Sequence, residues 1–166
     1  MHRYALIERE RRFLVRRPPP EAPSAVRHVF DRYIDGTRLR LRRMDGVFKL
    51  GQKIPSMAGP PGLQGDLTNM YLSRAEYDVL SVLPAAIIRK TRHSFPPLVL
   101  DVFEGHLTGL LIAEVEFDSD EAMAAFQPPA WCMREISMDP RYTGGVLARL
   151  SPGEATLLIQ AALQGG

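Results

Sequence analysis

The stretch VFDRYIDGTRLRLRRMDGVFKLGQK, residues 29–53, decides the fold because it contains two predicted hairpin turns in quick succession. Asp-Gly occurs at 35–36 and again at 45–46, and each pair separates runs in which apolar and polar residues alternate. Asp and Gly both tolerate the positive φ angles that a tight two-residue turn requires. The segment therefore predicts an antiparallel meander of three strands, at residues 29–34, 37–43 and 47–53.

Outward from this meander, similar alternation predicts further strands at residues 4–15, 67–72, 87–93, 98–104, 110–117 and 134–138. The prolines at 18–20 and the proline- and glycine-rich segment 54–65 predict loops. Helices are predicted at 73–83, at 119–126 and from residue 151, the first and last opening with a capping box. The pattern predicts an α+β fold dominated by β-structure, and closure into a barrel would remove the sheet edges.

Charged residues recur at every second position in several predicted strands. Residues two apart point to the same face of a strand, so each of these strands presents a row of charge. An acidic row attracts cations and a basic row attracts phosphates. Solvent-facing strands show the same alternation, but the acids and bases are sorted into different strands, which favours a shared cavity. The acidic pairs are Glu8 with Glu10 and Glu114 with Glu116, and the basic pairs include Arg38 with Arg40 and Lys90 with Arg92.

Length and composition limit the class of protein. A chain of 166 residues, 45% hydrophobic and 24% charged, predicts a single globular domain over residues 1–166. The formal net charge of +2 argues against nucleic-acid binding through bulk electrostatics. Cys132 is the only cysteine, which excludes an intramolecular disulfide, and no segment approaches the roughly 18 apolar residues of a membrane span. We therefore expect a cytoplasmic protein without a membrane partner.

Six motifs in order along the chain resemble the CYTH family, the triphosphate tunnel metalloenzymes. The matches span roughly residues 8–147, nearly the whole chain, and their order carries more weight than any single motif. They are ERERRFLV at 8–15, RLRLRR at 38–43, FKLGQK at 48–53, IIRKTR at 87–92, LVLDVFEGHLTGLLIAEVEF at 98–117 and WCMREISMDPRYTGGVLA at 131–148.

The resemblance implies a closed eight-stranded antiparallel tunnel barrel with peripheral helices and charged residues lining its inside. It also implies a small-molecule triphosphate substrate and a divalent cofactor, Mg²⁺ or Mn²⁺. By position, the implied metal ligands are Glu8, Glu10, Asp101, Glu114 and Glu116. The implied phosphate-binding residues are Arg12, Arg38, Arg40, Lys53, Lys90 and Arg92.

For catalysis the resemblance implies attack of a metal-activated water on a terminal phosphorus, with Glu10, Lys53 and Arg12 as the catalytic residues. Arg12 stands where the family has a lysine. An arginine keeps the positive charge but cannot give up a proton at neutral pH, so a role as a base is lost.

The leading functional hypothesis is therefore a metal-dependent inorganic triphosphatase, with ATP and thiamine triphosphate as further substrate options. A class IV adenylate cyclase and a non-catalytic polyphosphate-binding module stay open as alternatives. The apolar surface of the last predicted helix suggests three roles: plugging one mouth of the tunnel, joining a second subunit in a homodimer, or packing on the outside of the barrel.

Overall fold

A computed structural model describes residues 5–55 and 64–164 of the chain. Eight of its strands are joined in the order β5-β4-β3-β2-β6-β7-β8-β1, and pairing of β5 with β1 closes them into an antiparallel barrel. A ninth strand, β9, pairs with the end of β1. The strands are β1 (Leu6–Val15), β2 (Ala25–Ile34), β3 (Leu39–Met44), β4 (Val47–Pro55), β5 (Gln64–Leu72), β6 (Ala85–Phe95), β7 (Leu98–Phe103), β8 (Leu111–Glu116) and β9 (Cys132–Glu135).

The second Asp-Gly turn forms as predicted, since Asp45 and Gly46 have φ angles of 46° and 84°. A two-residue turn with two positive φ angles matches the right-handed twist of the strands it joins, which favours the tight β3–β4 hairpin. The first Asp-Gly pair is part of a longer connection: Gly36 has a φ of 70°, but residues 35–38 separate β2 from β3. The meander β2-β3-β4 forms as predicted, with one tight turn and one longer loop.

Four α-helices accompany the barrel: α1 (Arg74–Leu80), α2 (Asp120–Ala125), α3 (Gly144–Leu147) and α4 (Pro152–Gln164). The capping box of α1 is confirmed, because the Ser73 amide donates to Glu76 Oε2 at 2.7 Å and the Glu76 amide donates to Ser73 Oγ at 3.3 Å. Ser151 and Glu154 make the same pair of contacts ahead of α4. No helix within the described residues has both the length and the apolar character needed to span a bilayer.

Several elements differ from the prediction. Strands β2 and β6 are longer, because they pair from Ala25 with Ser94 to Ile34 with Ala85. The predicted loop at 54–65 is shorter, because β4 and β5 continue their pairing through Ile54 and Asp66; residues 56–63 lie outside the described residues. Strand β9 begins and ends earlier than the predicted strand at 134–138, since the Ile136 amide turns back to donate to the carbonyl of Arg12. Helix α3 was not predicted, because paired glycines disfavour a helix on propensity alone.

The apolar residues divide between the outside and one end of the barrel. Helix α1 covers the outer face of the meander, where Tyr77 packs with Ile34 and Leu41. At one end, inward-facing residues of four strands pack against the C-terminal segment 136–148 and against α4. This end cluster includes Leu14, Ile88, Phe103, Ile112, Ile136, Tyr142, Leu147, Ala155 and Ala162. Burying each large apolar side chain contributes about 1.5–3 kcal/mol, so the C-terminal segment is an integral part of the barrel.

Candidate active site

The barrel encloses a cavity of about 400 Å³, lined by the inward faces of its strands. Every predicted site residue except Asp101 lines this cavity. The lining residues are Glu8, Glu10, Arg12, Arg38, Arg40, Lys53, Lys90, Arg92, Glu114 and Glu116. The charged rows therefore face inward, which resolves the ambiguity left by alternation alone.

Strand register gathers the acids on one wall of the cavity. In the β1–β8 pair, Glu10 lies opposite Glu116 and Arg12 lies opposite Glu114. Glu8 lies two residues before Glu10, on the same face of β1. The basic side chains come from β3, β4 and β6, and Arg38 lies exposed at the rim just before β3. Acidic and basic walls thus meet across one space.

Lys53 bridges two carboxylates of the acidic wall. Its Nζ lies 2.5 Å from Glu8 Oε2 and 2.6 Å from Glu10 Oε1. Burial alone would lower the pKa of Lys53, but the charges of Glu10 and Glu8 raise that pKa above its ordinary value. Lys53 is therefore protonated, and its ammonium group is the cation that Glu8 and Glu10 hold between them.

Glu10 and Glu116 lie close to other carboxylates, and their pKa values are raised. Burial raises the pKa of Glu10, and the neighbouring charges of Glu114 and Glu8 raise it further. Burial also raises the pKa of Glu116, again reinforced by Glu8 and Glu114. A bound cation would stabilise the ionised forms of these neighbouring carboxylates.

The donor set of the acidic wall fits a hard divalent ion. Glu8, Glu10 and Glu116 offer only carboxylate oxygens, the ligands that Mg²⁺ and Mn²⁺ prefer. Within residues 5–55 and 64–164, no three His, Cys, Asp or Glu side chains already converge in a metal-binding arrangement. One physical reason is the ammonium of Lys53, which bridges Glu8 and Glu10. The three glutamates fit such an ion chemically, provided that the Lys53 ammonium moves away from Glu8 and Glu10.

Asp101 has a different position from the one the resemblance implied. It is fully buried beneath the cavity, where it accepts a hydrogen bond from Lys90 Nζ. Arg92 donates to it twice, from Nε to Oδ1 and from Nη2 to Oδ2, both at 2.7 Å. Both carboxylate oxygens are therefore occupied by cations of the protein. In this geometry Asp101 holds Lys90 and Arg92 in place, and its role as a metal ligand stays a prediction.

Glu114 lies between the two walls. Arg92 Nη2 donates to its Oε2 at 2.5 Å. Burial alone would raise the pKa of Glu114, but the positive charges of Lys90 and Arg92 lower it well below its ordinary value. Glu114 is thus ionised and paired with Arg92, whereas Glu10 is paired with Lys53 at 2.6 Å and, more distantly, with Arg12 at 3.7 Å.

Two residues of β2 were missed by sequence reasoning. Asp31 is buried and accepts two hydrogen bonds of 2.7 Å from Arg42, which also lines the cavity. Tyr33, two residues later on the same inward face, lines the cavity, and burial raises the pKa of its hydroxyl. The alternation of Asp31 and Tyr33 was the available signal, but one acid and one tyrosine do not form a charged row.

The segment that follows β9 also contributes to the cavity without having been predicted to do so. Thr143, Gly144 and Gly145, at the start of α3, line it beside Tyr33. Arg12 contacts the same segment: its Nη1 donates to the carbonyl of Tyr142 at 2.9 Å. The cavity is therefore lined by basic side chains, acidic side chains and one glycine-containing segment. Together these groups suit a compact polyanion bound with a cation.

Comparison with known proteins identifies relatives of this chain. The chain is 31% identical over 156 residues to an inorganic triphosphatase of Nitrosomonas europaea, covering 89% of this chain and 100% of that protein. An inorganic triphosphatase of Acetivibrio thermocellus is 36% identical over 67 residues, which cover 38% of this chain and 42% of that protein. No family model matches the chain.

A solved structure supports the same relationship. The crystal structure of an inorganic triphosphatase superposes with a TM-score of 0.61 at 29% sequence identity. The superposition covers 88% of this chain and 97% of that one. The likeness therefore extends over most of the chain.

Proposed function

The chain belongs to the family of the inorganic triphosphatases, and from this premise we propose that it hydrolyses inorganic triphosphate in its charged cavity with Mg²⁺ or Mn²⁺. The observation that carries the proposal is the sorting of the cavity walls, with carboxylates on β1 and β8 opposite bases on β3, β4 and β6. A triphosphate with its metal needs both walls at once. The order of the motifs adds the finer proposal that the protein is a triphosphate tunnel metalloenzyme of the CYTH type.

Substrate binding is assigned to the basic wall. Arg40, Lys90 and Arg92 line the cavity, and Arg38 at the rim is placed to meet a phosphate as it enters. The planar fork of arginine grips two phosphate oxygens, whereas lysine contributes a movable point charge. Because Asp101 holds Lys90 and Arg92 in place, part of this wall is organised before substrate arrives.

The metal-binding role is assigned to Glu8, Glu10 and Glu116. A divalent cation bound there would supply charge neutralisation at the phosphate oxygens and a more acidic water. The ammonium of Lys53, which now neutralises Glu8 and Glu10, would then be free to contact the phosphate chain.

Hydrolysis of a phosphoanhydride requires mainly positioning and charge stabilisation, together with a group that takes a proton from water. Glu10 is assigned this role from its place in the first motif and its position among the carboxylates that line the cavity. Lys53 and Arg92 would stabilise the negative charge that develops on the leaving pyrophosphate. The side chain of Arg12 donates to two backbone carbonyls, which gives it a different role.

The experiment is phosphate release from tripolyphosphate, ATP and thiamine triphosphate, measured with Mg²⁺, with Mn²⁺ and with a chelator, alongside an assay for cyclic AMP. We expect metal-dependent release, fastest from tripolyphosphate. Cyclic AMP without phosphate release would favour the cyclase alternative, and tight triphosphate binding without turnover would favour the binding module. The relatives favour neither alternative.

A further inference from the structure

Besides an ion pair between its Nε and Glu10 Oε1 at 3.7 Å, Arg12 makes four hydrogen bonds of 3.1 Å or less to one segment of the chain. Its side chain donates from Nη1 to the carbonyl of Tyr142 at 2.9 Å and from Nη2 to the carbonyl of Ser137 at 3.1 Å. Its backbone amide donates to Ser137 Oγ at 2.9 Å, and its carbonyl accepts from the Ile136 amide at 2.8 Å. Arg12 therefore fastens β1 to the start and the end of a loop that leads to α3.

The side-chain contacts depend on the shape of arginine. Two carbonyls that lie five residues apart are bound by separate nitrogens of one planar group, which a single ammonium cannot do in the same geometry. The guanidinium is largely buried, with 6% of the residue exposed, so both carbonyls would lose a partner that binds them in fixed directions. The arginine at this position thus has a structural use that a lysine would not fulfil.

The fastened segment forms part of the cavity wall. Thr143, Gly144 and Gly145 follow directly after Tyr142 and face the cavity beside Tyr33. Gly144 is pressed so closely against Tyr33 that an added Cβ would lie 1.9 Å from the tyrosine Oη. Since Tyr142 and Leu147 on either side are buried in the end cluster, the position of this wall depends on how firmly the segment is held.

We propose that Arg12 is a positioning residue that fixes segment 137–145 as the wall which limits the size of the substrate. The inference rests on the proposed triphosphatase function. In this proposal the wall held against Tyr33 narrows a cavity of about 400 Å³, which favours a bare phosphate chain over the bulkier ribose and base of a nucleoside triphosphate. Arg12 then governs the preference for tripolyphosphate over ATP through the wall, without serving as a phosphate ligand.

The test compares Arg12→Lys with Arg11→Lys. Arg11 is the matched control, because it lies next in the same strand and donates to Glu135 and to the Phe126 carbonyl on the outer face. Hydrogen–deuterium exchange of peptides covering 137–148 reports on the wall directly, since the amides of Thr143, Val146, Leu147 and Ala148 are hydrogen-bonded there. The ratio of kcat/KM for tripolyphosphate to that for ATP reports on selectivity.

In Arg12→Lys we expect exchange in this segment to become at least about tenfold faster, with little change in the rest of the barrel. We expect the selectivity ratio to fall on the order of tenfold, chiefly through KM. Gly144→Ala should lower the ratio in the same way, because it forces the wall away from Tyr33 while leaving Arg12 intact. Arg11→Lys should leave both the segment and the ratio as they are in the unmodified protein.

Each result decides a separate step. Unchanged exchange in Arg12→Lys would overturn the fastening role. Faster exchange with an unchanged ratio in both Arg12→Lys and Gly144→Ala would overturn the link to selectivity. Failure of the unmodified protein to hydrolyse tripolyphosphate would instead overturn the proposed function, and the exchange measurement would still test how the wall is held.

Discussion

Identical residue types in the cavity have opposite electrostatic states because their immediate neighbours differ. Loss of hydration and neighbouring acids raise the pKa values of Glu10 and Glu116. Loss of hydration acts on Glu114 in the same direction, but the charges of Lys90 and Arg92 lower its pKa below the ordinary value. The glutamates therefore divide into two whose ionised forms a further cation would stabilise and one that the charges of Lys90 and Arg92 already keep ionised. No property of the residue type alone could have separated them.

Glu116 provides a test of the proposed metal-binding glutamates. We expect Glu116→Gln to reduce metal-dependent turnover of tripolyphosphate by roughly 10²-fold, because one of the proposed metal ligands loses its charge. The measurement is kcat across a series of Mg²⁺ and Mn²⁺ concentrations. Glu121→Gln, on the exposed face of α2, is the control and should behave like the unmodified protein. Unchanged turnover in Glu116→Gln would rule this glutamate out as a ligand.

Asp31 provides a test of the structural carboxylates. Its pKa is lowered in the folded protein, since the hydrogen bonds and charge of Arg42 outweigh the effect of burial. The stability from this pair is therefore fully present above the ordinary aspartate pKa of about 4 and is lost as pH falls through the lowered value. At pH 7 we expect Asp31→Asn to lose roughly 3 kcal/mol of unfolding free energy, because Arg42 is left buried and unpaired.

Urea denaturation at pH 7 and at about pH 3 measures this effect, and the gap between Asp31→Asn and the unmodified protein should narrow at the lower pH. Asp78→Asn, which breaks an exposed pair with Arg74 on α1, should cost less than about 1 kcal/mol at either pH. A constant gap for Asp31→Asn across this range would show that the ion pair is not the source of the stability.

At the scale of elements, strand β3 shows what alternation determines and what it leaves open. Arg40 and Arg43 lie three residues apart and therefore face opposite sides of the sheet. Arg40 lines the cavity, whereas Arg43 stacks on Phe30 at the outer surface, 5.3 Å from the ring centroid. The sequence predicted that the two side chains diverge. It could not say which side was enclosed, because that depends on the pairing of β5 with β1.

This strand offers a matched pair of substitutions. We expect Arg40→Met to raise the KM for tripolyphosphate by about tenfold or more, the effect of losing one charged hydrogen-bonding partner of the phosphate chain. Arg43→Met removes the same charge from the same strand and should leave KM unaltered. Steady-state kinetics at saturating metal gives both values. Equal effects of the two substitutions would argue against an enclosed basic wall.

The C-terminal elements show where prediction from sequence fails. Helix α4 follows from its capping residues, but α3 contains two glycines and forms because Leu147 is buried in the end cluster. The contacts of Arg12 with Ser137 and Tyr142 join residues more than a hundred positions apart, which local patterns do not encode. The role of the last helix in a homodimer stays a prediction, whereas its packing against the barrel is observed.

For the whole molecule, most strands and most of the charged residues that line the cavity were predictable, because hairpin chemistry and two-residue alternation are local. The exceptions have a common cause. Asp101 looked like a metal ligand by position, but its partners Lys90 and Arg92 only become neighbours through the β6–β7 register. Asp31 and Tyr33 were missed for the same reason. Whether a charged residue binds a ligand or another residue is decided by three-dimensional pairing.

The central claim is that the opposed walls of the barrel act together on a triphosphate and a divalent cation. Phosphorus NMR of tripolyphosphate incubated with the protein tests this most directly, because it identifies both products and follows their formation in time. With Mg²⁺ or Mn²⁺ we expect equal amounts of orthophosphate and pyrophosphate, and with excess chelator we expect the substrate to persist. Persistence of tripolyphosphate with either metal, or the same rate of cleavage under chelator, would contradict the account.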